Sequence, residues 1–169
     1  ESGHAEWHVA SVDLRALVQQ ALATTAELFR ERGAEVSADL PAQVPAIEAD
    51  TDRLTQVLLN LLSNAAKFVP APGGRVQVRL LADAQGLTVA VHDNGPGVPA
   101  GQEKQIFDRF HQGGDAAHRP QGTGLGLPIS RQIVEHFGGR LWLESTERPG
   151  ACFCFWLPLR PPHCGDKTP

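Results

Sequence analysis

Four side chains suited to metal and phosphate chemistry lie close together in the segment QVLLNLLSNAAKF: Asn60, Asn64, Lys67 and Phe68. Their spacing of i, i+4, i+7 and i+8 places them on one edge of a helix, while leucines and Ala65 fill the other side. Asparagine is a mediocre helix former, so two of them on one edge are unusual. An amide oxygen is a ligand that suits Mg²⁺, and a lysine meets phosphate as a point charge. This edge therefore predicts a metal-phosphate site with an aromatic ring beside it.

A glycine-rich segment, GTGLGL, opens a second predicted helix and comprises Gly122, Thr123, Gly124, Leu125, Gly126 and Leu127. Glycines at a helix N-terminus let backbone N–H groups approach an anion, which the helix dipole also favours. The segment is not a P-loop, because no G-x-x-x-x-G-K-[ST] occurs. The spacing and the absence of a βαβ unit also exclude a dinucleotide fingerprint. We interpret it as a phosphate cradle.

Asp93 ends an apolar strand and enters the turn Asp93-Asn94-Gly95-Pro96-Gly97. A carboxylate at this place can accept a hydrogen bond from an exocyclic amine such as that of adenine. Gly97 would let a base approach the backbone closely. The alternative is that Asp93 merely caps its own turn, which is a common role for aspartate. Taken with the Asn-bearing helix and the glycine segment, Asp93 predicts a Mg-ATP site.

The elements that must position these residues can be read from periodicity and turn signals. Helices are predicted at 13–32, 51–68 and 125–137, and strands at 35–39, 46–49, 75–82, 86–93, 139–145 and 151–159. Hairpin-like pairs at 75–93 and 140–159 favour antiparallel pairing. The order indicates an α+β domain, a two-layer sandwich with helices on one face of a mixed, mainly antiparallel sheet.

Composition narrows the class of protein. The formal charge is −4 over 169 residues, so nothing favours a nucleic-acid surface. No apolar run is long enough to cross a bilayer, and no signal peptide is evident. Cys152 and Cys154 alternate with apolar residues on a predicted strand and are expected to be buried reduced thiols, and with Cys164 they lack the spacing of a zinc site.

The remaining segments complete the predicted organisation. Residues 98–124 form a long connection rich in Gly, His, Gln and Pro, as is typical of a functional lid. Residues 1–11 are interpreted as a linker, 12–159 as the domain and 160–169 as a disordered tail. The sequence contains no methionine, which indicates a piece of a longer protein.

Four motifs in order resemble the boxes of the catalytic, ATP-binding domain of sensor histidine kinases, within the group that includes gyrase-type, Hsp90-type and MutL-type ATPases. NLLSNAAKF is similar to the N box, DNGPGVP to the G1 box, IFDRF to the F box and GTGLGLPIS to the G2 box. The likeness covers nearly the whole chain, from about Val12 to Leu159. It implies the Bergerat ATP-binding fold with a long ATP lid, and ATP and Mg²⁺ as cofactors.

The resemblance implies a role for each matching residue. Asn64 matches the Mg²⁺ ligand, Lys67 the phosphate-contacting lysine, and Asn60 a polar position near the phosphates that is a water-activating Glu in the related ATPases. An amide cannot take a proton at neutral pH, so Asn60 is expected not to promote attack by water. The other implied ATP contacts are Phe68 near the adenine, Asp93 as its reader, Gly95, Gly97 and Val98 of the G1 box, Phe107 and Phe110 of the F box, and Gly122, Thr123, Gly124, Leu125, Gly126 and Leu127 of the G2 box.

The chain departs from the family pattern at two places. The family's last strand often opens Gly-Ser/Thr-x-Phe with a hydroxyl that supports the adenine aspartate, but Ala151 follows Gly150 here. That contact is expected to be weakened or replaced by water. Neither His4 nor His8 matches the phosphoacceptor motif His-Glu/Asp-x-x-Thr/Asn-Pro. The dimerising hairpin that carries this histidine is expected to precede Glu1.

The function implied is transfer of the γ-phosphoryl group of ATP to that hairpin histidine, which feeds a response regulator receiver domain. The resemblance also implies a monomeric fragment of a homodimer, in the cytoplasmic part of a bacterial sensor that could be membrane-anchored. Two alternatives stay open: a nucleotide-binding regulatory module without chemistry, and a self-contained ATPase. The set of metal and phosphate residues argues against the first, and Asn60 in place of Glu counts against the second.

Overall fold

The computed structural model describes residues 6–108 and 126–160. Three α-helices lie in these ranges: α1 (Leu14–Glu31), α2 (Thr51–Phe68) and α3 (Gly126–His136). The strands are β1 (Ala10–Val12), β2 (Glu35–Asp39), β3 (Ile47–Ala49), β4 (Arg75–Ala82), β5 (Gly86–Asp93), β6 (Arg140–Glu144) and β7 (Cys152–Pro158), and a short 3₁₀ turn spans Gln105–Phe107. The predicted bounds agree within one or two residues at every helix and strand that the sequence indicated.

A five-stranded mixed sheet forms one layer, in the order β2-β4-β5-β7-β6. Strand β2 runs parallel to β4, and the other three neighbouring pairs are antiparallel. The predicted hairpins are thus confirmed as β4–β5 and β6–β7. Together with the three helices, the sheet confirms the α+β class and its mixed, mainly antiparallel character.

The core lies between the sheet and the helices. Along β5, the residues Leu87, Val89 and Val91 are buried while Thr88 and Ala90 between them are only half-buried. This alternation places one face of the strand against the helices and leaves the other towards solvent. Helix α2 lies between α1 and α3 and packs on β5, and seven of its side chains are buried. Burying a Leu or Val side chain contributes about 1.5–3 kcal/mol, so this apolar face determines which edge of α2 is left for the site.

Each of the first two helices begins at an aspartate N-cap. Asp13 accepts a hydrogen bond from the Ala16 backbone N–H, and Asp50 accepts one from that of Arg53. Such caps contribute about 1 kcal/mol each. Helix α2 ends at Phe68, where Val69 turns to an extended conformation before Pro70. The position of α2 in sequence is therefore set by Asp50 at one end and Pro70 at the other.

The described part of the predicted linker, together with Val12, contacts the rest of the domain. Strand β1 pairs with β3, and the His8 backbone N–H donates to Asp50 Oδ2 at 2.9 Å. The Trp7 ring stacks on His136 with 3.7 Å between ring centroids, and Arg53 lies 5.1 Å from the Trp7 ring. The sequence predicted no strand at β1, because three residues with two exposed side chains carry no alternation.

Residues 1–5 and 161–169 lie outside the described residues, and with them nearly all of the predicted disordered tail. The division into linker, domain and tail stays a prediction. In the described ranges no helix combines the length and the apolar character needed to cross a membrane.

Candidate ATP-binding site

The Asn60 side chain joins α2 to the start of α3. Its Nδ2 donates to the Gly126 carbonyl oxygen at 3.2 Å and to Ser130 Oγ at 3.1 Å. Ser130 is completely buried, whereas Asn60 is half-buried. Both contacts are made by the NH₂ group, which orients the amide and leaves its oxygen as the group that can face a ligand. The structure thus brings the Asn-bearing edge and the last glycine of the GTGLGL segment together, as the sequence predicted.

Asn64 and Lys67 lie one and two turns further along the same edge of α2, and both are half-buried. Neither has a hydrogen bond or an ion pair with any residue in the described ranges. A half-buried amide oxygen and an ammonium group on one helix edge, without competing partners there, can serve an oxygen-coordinated cation and a phosphate. Their placement agrees with the roles that the resemblance implies, which stay predictions.

Asp93 is the most buried charged residue beside the glycine turn, at 3% exposure. Its Oδ1 accepts hydrogen bonds from the Gly95 backbone N–H at 2.9 Å and the Ala151 backbone N–H at 3.4 Å. Burial raises the pKa of the Asp93 carboxyl above its usual range, and the two backbone hydrogen bonds partly oppose this shift. Since Oδ1 holds both contacts, Oδ2 is left to accept a hydrogen bond from an exocyclic amine. Asp93 therefore caps its own turn and can also accept a hydrogen bond from the amine of a base.

At position 151, where the sequence lacks a hydroxyl, the main chain contacts Asp93. The Ala151 backbone N–H donates to Asp93 Oδ1 at 3.4 Å, a longer contact than the 2.9 Å of the Gly95 N–H. The Asp93 backbone N–H in turn donates to the Ala151 carbonyl at 2.9 Å. The aspartate is therefore contacted by the main chain of the residue that precedes β7, and Ala151 brings no side-chain hydroxyl to it.

Two glycines allow the backbone to close around Asp93. A Cβ on Gly95 would overlap the Phe68 carbonyl oxygen, so this turn packs directly on the end of α2. Gly150 has a φ of +109°, and a Cβ there would overlap the Asp93 carbonyl oxygen. Gly97 faces Gly150, whose carbonyl oxygen would lie 3.0 Å from a Cβ at position 97. The structure thus brings Phe68, Asp93, Gly95 and Gly97 together, as predicted.

Two positioning residues were missed by the sequence reasoning. Asn94 fixes the glycine turn to β4: its Oδ1 accepts from the Arg75 backbone N–H at 2.7 Å, and its Nδ2 donates to the Gly73 carbonyl at 2.9 Å. Ser130 receives the Asn60 amide. Ser130 is a serine among apolar residues of α3, which was a sign that it has a special role. Its partner was not evident from the sequence, because Asn60 lies 70 residues away. No local signal distinguished Asn94 from an ordinary turn residue.

The described part of the lid packs on the core near the site. The Phe107 ring meets Phe153 edge-on, with 6.3 Å between centroids, and the Arg131 guanidinium lies 5.8 Å from the Phe107 ring. Val98 and Leu127 also pack against the core and are partly buried. Phe107 therefore anchors the described part of the predicted lid, residues 98–108, to the core. The predicted site residues that lie outside the described residues are Phe110, Gly122, Thr123, Gly124 and Leu125.

The two described cysteines depart in part from expectation. Cys154 is buried and free, as predicted, whereas Cys152 is only half-buried. Their sulfur atoms lie 3.7 Å apart on one face of β7. The prediction of two buried thiols was wrong for Cys152. It is the first residue of β7 and lies opposite exposed Glu144 at the end of β6, whereas Cys154 lies further along the strand between Ala90 and Trp142. Among the residues described, no group of three or more His, Cys, Asp or Glu side chains could hold a metal ion.

The comparison with family models matches residues 49–161 to the histidine kinase-, DNA gyrase B- and HSP90-like ATPase family. The chain is 38% identical over 150 residues to the adaptive-response sensory kinase SasA of Synechococcus sp. (strain CC9311), a match that covers 88% of the chain and 39% of the relative. The chain therefore spans about two fifths of the length of the curated relatives that it matches first.

Solved structures resemble this chain over nearly its whole length. The catalytic domain of histidine kinase ThkA matches with a TM-score of 0.79 at 27% identity, covering 90% of the chain and 98% of the domain. Full-length ShkA in complex with AMPPNP matches with a TM-score of 0.79 at 31% identity, covering 92% of the chain and 32% of that protein. ThkA in complex with the response regulator protein TrrA matches with a TM-score of 0.74 at 26% identity, covering 92% of the chain and 43% of that protein.

Proposed function

The chain belongs to the family of histidine kinase-, DNA gyrase B- and HSP90-like ATPases, and from this membership we propose that it binds Mg-ATP and transfers the γ-phosphoryl group to a histidine. The histidine would lie on a dimerisation hairpin outside this chain. The single observation that carries the proposal is the Asn60 amide, which donates to Gly126 and Ser130. By the resemblance, this position is a water-activating Glu in the related ATPases.

The adenine end of the proposed site is formed by Asp93 and its glycine turn. Asp93 Oδ2 would accept the hydrogen bond of the adenine amine, and Phe68 would lie near the ring. The backbone at Gly95 and Gly97 packs closely enough to give the pocket a fixed floor. A site built to hydrogen-bond an amine rejects a base that lacks it, because the carboxylate would be left buried and unpaired.

The phosphate end is formed by the open edge of α2 and the start of α3. Lys67 would offset charge on the phosphates, and the N–H groups that open α3 would bind their oxygens. Asn64 is the α2 residue that suits Mg²⁺, because its amide oxygen has no competing partner among the described residues. One protein ligand is sufficient, since Mg²⁺ keeps waters and phosphate oxygens as its other ligands. When bound, the ion would supply charge neutralisation at the phosphate oxygens. The remaining contribution of this chain is positioning, which phosphoryl transfer chiefly requires.

Asn60 decides between transfer and hydrolysis. Its NH₂ group faces Gly126 O and Ser130 Oγ, so only the amide oxygen can face the nucleotide. An amide oxygen does not accept a proton at neutral pH and cannot act as a general base for water. This observation favours a site that holds ATP for another nucleophile over a self-contained ATPase.

The nucleophile and the signalling partner would lie outside this chain. The chain covers 39% of SasA, so the rest of a longer protein would supply the hairpin and the dimer interface. The ThkA–TrrA complex supports a response regulator as the acceptor of the phosphoryl group. The lid at 98–124 would close over ATP, starting from the anchor at Phe107.

Radiolabelled ATP tests the proposal directly. We would incubate the chain with [γ-³²P]ATP and Mg²⁺, with and without a separately prepared hairpin of the same full-length protein. Acid-labile, base-stable label on the hairpin is expected only when both are present. Free phosphate from the chain alone at a comparable rate would identify an ATPase, and binding without either product would identify a regulatory module.

A matched pair of variants tests the metal assignment. Asn64→Ala is expected to lower the affinity for Mg-ATP more than the affinity for ATP in EDTA. Ser63→Ala, a neighbour on the same helix, is expected to change neither. Equal Mg-ATP affinity in Asn64→Ala and the parent chain would refute Asn64 as a ligand.

A further inference from the structure

A cavity of about 680 Å³ lies at the edge of the sheet where β2 and β4 begin and β5 ends. The residues that line it include Ser37, Gln77 and His92 of the sheet, and Arg148 with Pro149 of the loop before β7. His92 and Gln77 are opposite each other in the β4–β5 register and alternate with buried residues. The cavity therefore opens on the sheet face away from the helices.

Positive charge predominates among the flexible side chains of this cavity. Arg75 and Arg148 line it, and neither forms an ion pair with any carboxylate of the described residues. Glu35 is the exposed acid at the same cavity and lies beside Arg75 in the β2–β4 register. Asp93 also borders the cavity, but its Oδ1 is occupied by Gly95 and Ala151. Two guanidinium groups therefore face one exposed carboxylate.

His92 contributes an atom that lacks a partner. Its Nε2 is buried, and it is the one buried side-chain N or O atom in residues 6–108 and 126–160 that makes no hydrogen bond. A buried polar atom left in this state destabilises a fold, and its retention calls for a ligand or a function. The His92 side chain lines the same cavity as the two arginines. A rotation of the ring that brings Nε2 to the cavity would let an acceptor that carries negative charge satisfy it.

We propose that this cavity is a binding site for a small oxyanion, with a phosphate or carboxylate group held between Arg75, Arg148 and the His92 imidazole. Arginine suits this class of ligand, because its planar fork donates two parallel hydrogen bonds to a carboxylate or phosphate. Gln77 and Ser37 also line the cavity and add neutral donors. The site is separate from the proposed triphosphate position, which lies along α2 and α3 on the other face of the sheet.

Histidine-detected NMR on the whole chain tests the site with two probes, inorganic phosphate and succinate. The chain contains seven histidines, and a His92→Gln variant would assign the His92 ring signal. We expect this signal to shift with saturation on addition of at least one probe, which also identifies whether phosphate or dicarboxylate is preferred. The titration is repeated with saturating Mg-ATP, and binding is expected to persist.

Arg148→Gln is the informative variant, and Arg79→Gln is its matched control. Arg79 lies on the same sheet face and carries the same charge, but it is paired with Asp39 and does not line the cavity. Arg148→Gln is expected to weaken the anion about tenfold or more, since charge-assisted hydrogen bonds are the strong ones. Arg79→Gln is expected to leave the affinity within about twofold, as a remote surface charge does.

Three results would overturn the proposal. The first is the absence of a saturable His92 shift with either probe at tens of millimolar. The second is equal weakening by both arginine variants, which would indicate a general effect of net charge. The third is displacement of the probe by Mg-ATP, which would place the anion in the nucleotide site. Because the readout does not involve phosphotransfer, failure of the proposed kinase activity would leave this test unaffected.

Discussion

Asn60 Nδ2 donates to Ser130 Oγ at 3.1 Å, and this hydrogen bond joins the middle of α2 to α3 across 70 residues of sequence. The acceptor is completely buried. The contact determines which end of the Asn60 amide faces the proposed nucleotide site. It also couples the helix that bears the predicted metal ligand to the helix that follows the glycine segment. A change at Ser130 should therefore affect both the fold and the site.

Ser130→Ala is expected to lower the free energy of unfolding by about 1 kcal/mol, because one buried hydrogen bond is lost while Gly126 O still accepts from Asn60. For a domain of this size that corresponds to about 2–4 °C in Tm. Thermal or urea unfolding measures it. Ser63→Ala is the control, because Ser63 donates only to the Asn60 backbone carbonyl within α2. This substitution is expected to lower the free energy of unfolding by less than about 0.5 kcal/mol. A double-mutant cycle with Asn60→Ala should show coupling, and strict additivity would contradict the link.

Asp93→Asn is expected to lower ATP affinity about tenfold or more while the chain stays folded. The amide keeps an oxygen for the N–H groups of Gly95 and Ala151 but turns an NH₂ donor towards the adenine amine. Calorimetric titration with ATP measures the loss. Asp83→Asn is a matched control, since Asp83 also accepts from two backbone N–H groups in a turn, at the other end of β5. Unchanged ATP affinity in Asp93→Asn would refute the adenine-reading role.

The raised pKa of Asp93 predicts a dependence of stability on pH. Burial raises the pKa of the folded-state carboxyl above that of the unfolded chain, so the folded state binds more protons between the two values. The contribution of Asp93 is therefore fully present below the unfolded pKa and is lost as pH rises through the folded pKa. The parent chain should therefore lose unfolding free energy as pH rises between the unfolded-state and folded-state pKa values, whereas Asp93→Asn should not. The stability of Asp93→Asn relative to the parent chain should rise over that pH range. Unfolding curves measured from pH 3 to 8 test this, and a constant difference would contradict it.

Gly150→Ala is expected to destabilise the chain more than Gly101→Ala. Both glycines have positive φ, at +109° and +84°, so both substitutions carry backbone strain of about 1–2 kcal/mol. Only at Gly150 would the new Cβ also overlap the Asp93 carbonyl, since nothing lies within 4 Å of a Cβ at Gly101. The difference in unfolding free energy between the two variants isolates the close approach of β7 to Asp93. Equal losses would show that backbone strain alone is responsible.

Cys152 is expected to react with iodoacetamide before Cys154. The hydrogen bond from the Cys154 thiol lowers the pKa of Cys152, whereas the same contact, with burial, raises the pKa of Cys154. The thiolate is the reactive form, and Cys152 is also the more exposed of the two. Peptide mass spectrometry over a time course separates them. Cys154→Ala should slow modification of Cys152, and an unchanged rate would contradict the role of the contact.

The sequence by itself determined the elements and the recognisable motifs. Helix α2 and strands β4 and β5 were predicted at their observed bounds, because their periodicity, the Asp50 cap and the proline and glycine stops are all local. The placement of Asn60, Asn64 and Lys67 on one edge follows from helical geometry alone. The relation of Asp93 to its own glycine turn was also local, since Gly95 is two residues away.

Only the tertiary structure decided what each of these groups touches. That Asn60 binds Ser130, that Ala151 supports Asp93, and that Arg75, His92 and Arg148 share one cavity all depend on contacts between segments far apart in sequence. Burial likewise depends on several neighbouring strands and loops together. It raises the pKa of Asp93 and leaves His92 Nε2 without a hydrogen-bond partner among the described residues. Local sequence determines which side chains are present and on which face of a helix or strand they lie. Their partners and their solvation are determined by how the helices pack on the sheet.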